Sequence, residues 1–105
     1  MDGQKASKQG EIRAKDYLTD AIEIIGDRGL VYGDPGINHL RIAQLWSVYF
    51  ERSIEPYDVA MAMALVKIAR LIETKQHNDS VLDACAYLSI FGELANKNWS
   101  ELDTY

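Results

Sequence analysis

The chain has 105 residues, enough for one domain with one core and too few for two. Its apolar share of 48% with 26% charged residues is that of a folded globular protein, and a net charge of −5 disfavours a surface built to neutralise a nucleic-acid backbone. The single Cys85 allows no internal disulfide and no cysteine cluster for zinc, so a reducing compartment is expected.

Residues 1–9 are polar and aperiodic and read as a frayed tail, with no apolar segment of signal-peptide length. Ala14, Leu18, Ala21, Ile22 and Ile25 then fall at the three-and-four spacing of one helical face, and Gly26 to Gly29 supply a stop. Leu30 to Gly36 reads as an ordered loop, because glycine permits positive φ and Pro35 fixes a turn. Asp34 before Pro35 also has the form of an N-cap with proline at the first helical position. The second helix carries a broad stripe of Ile42, Leu45, Trp46 and Tyr49, widened by Ala43 and Phe50, and ends near Arg52.

Pro56 opens a third helix over about 56–75, with Asp58 favouring its positive end. Between Val59 and Ile72 only Lys67 and Arg70 are charged, the pattern of a core helix. Gln76 to Asp79 form a polar break from which Asn78 or Asp79 caps a fourth helix bearing Val81, Ala84, Cys85, Leu88, Phe91 and Ala95. No apolar run reaches the length of a membrane span, so the chain reads as cytoplasmic. Residues 98–105 hold Trp99 and Tyr105 in a polar setting, which suggests a docked tail.

The expected architecture is all-α: a compact, four-helix bundle-like domain over residues 10–97, with the third helix central and the third and fourth forming an antiparallel hairpin. A break centred near Gln76 and His77 sets Arg70 opposite Asp83 and Lys67 opposite Tyr87. On one reading these are structural pairs, since buried charges need partners. On the other, Lys67 and Arg70 face a groove and bind a phosphate, with Ala60 and Ala64 leaving room.

Asp79 and Asp83 are too few for a hard cation, and capping accounts for Asp79 and Asp58 without one. His39 and His77 read as surface residues, and no serine or cysteine carries a nucleophile signature. Tyr32 or Trp46 offers a ring for stacking on a base, and the second helix's N-terminus a place for phosphate, although Asp34 competes for it.

The string Tyr32-Gly33-Asp34-Pro35, with Arg41-Ile42-Ala43, Leu45-Trp46-Ser47, Asp58-Val59-Ala60, Lys67-Ile68-Ala69-Arg70-Leu71, Asp79-Ser80, Asp83 and Tyr87, resembles a family of small phage and prophage proteins of unknown function over roughly residues 12–95. The helical architecture and the carboxylates of the fourth helix are more distantly similar to MazG-like all-α nucleotide pyrophosphohydrolases. That likeness implies oligomers and Mg²⁺ held by acidic residues of facing helices, whereas the third helix here offers Lys67 and Arg70.

Together these features suggest a phage accessory protein that binds a nucleotide or a derivative, with Mg²⁺ if it is a hydrolase. The ligand-binding set is then Tyr32, Arg41, Lys67, Arg70, Asp83 and Tyr87. The alternative is a non-enzymatic protein whose acidic surface binds a host protein. The apolar surface of the second and third helices exceeds what one small bundle covers, so a homodimer is expected.

Overall fold

A computed structural model describes residues 11–99, so the proposed 1–9 tail and Tyr105 lie outside the described residues. The chain forms four helices, α1 (Ala14–Tyr32), α2 (Pro35–Phe50), α3 (Pro56–Glu73) and α4 (Asn78–Ala95), with no strand among the described residues. None of these helices is long and apolar enough to cross a membrane. The proline starts hold: Asp34 caps α2 by accepting from Ile37 N at 3.2 Å, and Asp58 accepts from Glu55 N at 2.8 Å to close the start of α3.

The first departure concerns α1. It runs through Gly26 and Gly29 and stops only at Gly33, whose φ of 84° takes the chain out of the helix while its N–H reaches Gly29 O. A glycine inside a helix costs about 1 kcal/mol and does not forbid it. Its buried face is also rotated from the expected one: Asp16, Asp20, Ala21 and Ile24 point inward, while Leu18 and Ile22 are exposed. Asp16 earns its place by accepting from Arg13 N at 3.0 Å.

α3 and α4 form the expected hairpin and pack together more extensively than any other pair. The two share the centre of the fold: α2 packs on α3, and α1 packs on α4, where Tyr17 Oη donates to Asn78 Oδ1 at 2.9 Å. Asn78 and Asp79 are the first residues of α4 rather than its caps. Their place before the helix is taken by His77, whose Nδ1 shares a 2.7 Å hydrogen bond with the buried Ser80 hydroxyl. α2 lies against α3, with the 51–55 connection closed by Ser47, which donates to Ala43 O and accepts from Ile54 N at 2.9 Å.

Two clusters make the core, Ile24 with Leu82 and, toward the far end of the hairpin, Ala60 with Ile90 and Leu94. Tyr57, Phe91 and Trp99 pack on the second, and Trp99 Nε1 donates to Leu94 O at 3.3 Å, so the tail docks as far as Trp99. Neither α2 nor α3 is buried around its girth. α2 buries only Gly36, His39 and Ala43, and α3 only Pro56, Val59, Ala60 and Ala64, leaving Leu45, Val48, Tyr49, Leu65, Ile68 and Ile72 in solvent.

Candidate functional site

Asp83 is buried on α4 and holds two cations from two other helices. Its Oδ1 accepts from Arg28 Nη2 at 3.0 Å, and its Oδ2 lies 3.1 Å from Lys67 Nζ. The sequence pairing of Arg70 with Asp83 is therefore wrong by one helical turn: Arg70 is exposed, and Lys67 takes the position assigned to it. The turn between the helices is as long as expected but begins about two residues earlier, with α3 ending at Glu73 and α4 starting at Asn78. That shift carries Tyr87 away from Lys67. Ala60 and Ala64 are fully packed and leave no groove beside Lys67.

Arg28 was hidden by the reading of Gly26 to Gly29 as a stop. Once α1 continues, Asp20, Ile24 and Arg28 line up four apart on its inner side. The Arg28 guanidinium also stands 5.5 Å from the centroid of the Tyr87 ring, a cation–π distance. Asp83 thus sets the position of a cation that in turn covers an aromatic face.

Beside this pair lies a cleft of about 900 Å³ between the end of α1, the start of α2 and α4. Arg28, Tyr32, Asn38, His39, Tyr87 and Ile90 are among the residues that line it. Of the six residues expected to bind ligand, the cleft brings together Tyr32 and Tyr87 only. Asp83 stands behind its wall as the partner of Arg28, Lys67 is engaged on the hairpin side of Asp83, and Arg41 and Arg70 sit on exposed helix faces outside the cleft. Trp46 belongs to a separate groove with Phe50 and Ile54.

His39 was expected at the surface and is instead 5% exposed. Its Nδ1 lies 2.8 Å from Pro35 O, which can only accept, so Nδ1 carries the proton. In the neutral ring Nε2 is then an acceptor, and it is buried with no hydrogen-bond partner among the described residues. Burial holds the His39 pKa below its ordinary value, with the Pro35 hydrogen bond opposing the shift more weakly. The ring meets Tyr87 edge-on at 6.5 Å. Its place one turn into α2, four residues after Pro35, whose carbonyl the ring can reach, was the only sign of this role in the sequence.

The donor set does not suit a hard cation. Among the described residues no three His, Cys, Asp or Glu side chains converge, and both Asp83 oxygens are engaged by cations.

Residues 16–95 match the family described as a domain of unknown function, DUF6378. The chain belongs to this family. It is 46% identical over 80 residues to the Gene 55 protein of Mycobacterium phage L5 and 41% identical over 75 residues to the Gene 55 protein of Mycobacterium phage D29. These alignments cover 73% and 70% of this chain but 51% and 50% of the relatives, so the chain spans about half the length of the phage proteins it matches. No solved structure matches it. The phage resemblance read from the Tyr32-Gly33-Asp34-Pro35 string and its companions is this family, and nothing in the comparisons extends it to the MazG-like enzymes.

Proposed function

We propose that this phage protein binds a small, flat, anionic ligand of the nucleotide class in the cleft between α1, α2 and α4, without metal-dependent hydrolysis. The observation that carries the reading is the unmet Nε2 of His39 in the cleft wall. An unpaired buried acceptor costs roughly 1–3 kcal/mol, and a ligand N–H or O–H that reaches it recovers that cost.

Two features support the ligand's class. Tyr32 and Tyr87 supply aromatic surface for a base, and the Arg28 guanidinium in the cleft lining offers charge-assisted hydrogen bonds to a phosphate. Relative to the six-residue set, Arg28 replaces Lys67, Arg70 and Arg41 as the phosphate contact. The MazG-like reading rests on helical architecture and the carboxylates of α4, and the acidic residues it calls for on a facing helix are not matched by α3, which offers Lys67 and Arg70.

A thermal-shift panel of mononucleotides, dinucleotides and cyclic nucleotides, with and without Mg²⁺, tests this, because a ligand of the native state raises the melting temperature. At least one should shift it without needing Mg²⁺. His39→Phe should abolish the shift with helicity retained, whereas Lys67→Met, outside the cleft, should leave it. If no member acts at millimolar concentration, the nucleotide reading fails. A second reading, a protein that binds a host protein, is favoured by the exposed Leu30 and Val31 beside the cleft on an acidic chain.

A further inference from the structure

The outer face of α3 carries Met61, Leu65, Ile68 and Ile72, spaced four, three and four apart, which is the seam of a helix that packs against another helix along its length. Among the described residues most of it is left uncovered: Leu65 is 55%, Ile68 40% and Ile72 74% exposed, with Met61 half-buried. α2, which shares a hairpin connection with α3, leaves this stripe open and exposes Leu45, Val48 and Tyr49 of its own.

We propose that the partner of this seam is a second copy of the same chain, packed antiparallel, α3 on α3. The pattern is self-complementary. A two-fold axis at the level of Val66 and Lys67 sets Leu65 against the partner's Ile68 and Met61 against the partner's Ile72. The same axis brings Asp58 to the turn that follows the partner's α3, where Lys75 stands, and both residues are exposed. Asp58 uses Oδ2 to cap its own helix, which leaves Oδ1 for a cation. An isologous contact repeats each pairing twice and closes at two subunits.

A second feature lies where the partner's helix end arrives. Next to Asp58, the residues Trp46, Phe50, Ile54 and Ala62 line an open groove of about 440 Å³. In the antiparallel arrangement it receives the end of α3 that bears the partner's Ile72, so α2 contributes to the interface and widens it beyond the seam.

Light scattering of the full chain at tens of micromolar should give twice the mass of 11.9 kDa. Ile68→Glu, at the centre of the seam, should give a monomer with an unchanged circular dichroism spectrum. Should that variant unfold, Ile72→Glu replaces it, since that side chain is mostly solvated already. Leu45→Glu, on the outer face of α2, should remain a dimer, and Lys75→Glu should raise the dissociation constant about tenfold. A monomeric wild type, a dimeric folded Ile68→Glu or Ile72→Glu, or a Leu45→Glu monomer overturns the proposal. An unaltered dissociation constant in Lys75→Glu overturns the antiparallel register.

Discussion

One carboxylate does more for this chain than any other polar group. Asp83 is buried, and both its oxygens are charge-paired, while Arg28 and Lys67 keep part of their surface in water. Removing it by Asp83→Ala leaves two cations without their anion and should cost about 3 kcal/mol. Lys67→Met leaves Asp83 with Arg28 and should cost on the order of 1 kcal/mol. Chemical denaturation of both variants and of the double mutant checks the pairing: the double should lose less than the sum, and strictly additive losses would show that the groups do not interact.

His39 gives a pH dependence of definite sign. Its folded pKa lies below the ordinary histidine value because burial disfavours the imidazolium. The unfolded chain therefore binds the proton first, so the contribution of His39 to stability is present in full above about pH 6.5 and declines as pH falls toward the folded pKa. Stability measured from pH 7.5 down to pH 5 should fall more steeply in the wild type than in His39→Gln. Equal slopes would mean that the ring titrates alike in both states.

These two residues also mark how far sequence reasoning reaches. Tyr32 and Tyr87 were legible because aromatic and polar residues stood out from an apolar period. Lys67 was legible as a charge that needed a partner, and Asp83 as the partner, but the pairing went to Arg70 since a hairpin turn is not fixed to better than one helical turn by composition. Arg28 and His39 were invisible for different reasons. The first hung on whether two glycines stop a helix, which depends on what α1 packs against. The second hung on burial, which only tertiary structure decides.

At the level of elements, the two proline starts were read correctly because they are local: Asp34, Pro35, Pro56 and Asp58 act within four residues of themselves, whereas the cap of α4 was placed one or two residues late. Buried faces were read less well. The stripes of the first two helices were read as packing faces, yet Leu18, Ile22, Leu45 and Tyr49 face outward in the single chain, since periodicity locates a face without saying what covers it. The continuity of α1 can be tested at its glycines. A Cβ at Gly26 meets nothing within 4 Å, so Gly26→Ala should stabilise the protein by about 0.5–1 kcal/mol. Gly33 has φ of 84°, where a side chain is strained, and Gly33→Ala should destabilise by about 1 kcal/mol. Thermal melts of the two variants should move in opposite directions, and a loss of stability in Gly26→Ala would place the end of α1 before it.

For the whole molecule, the hairpin of α3 and α4 is the unit on which the other two helices depend. Its inner residues Ala60, Ala64, Leu82, Ala86 and Leu94 are fully buried. Amide hydrogen exchange should be slowest there and faster in α2, which buries three residues. Uniform protection across all four helices would refute this ordering.

The contacts of α1 also have a consequence in time. Tyr17 bonds Asn78 across 61 residues, and Arg28 meets Asp83 across 55. At a synthesis rate of roughly 5–20 residues per second, α1 leaves the ribosome on the order of several seconds before the residues it docks on exist. During that interval Asp20 and Arg28 are solvated and Ile24 has nothing to cover it. Of the four helices described, α1 is the first synthesised, and it cannot take its place until α4, the last of the four, has followed.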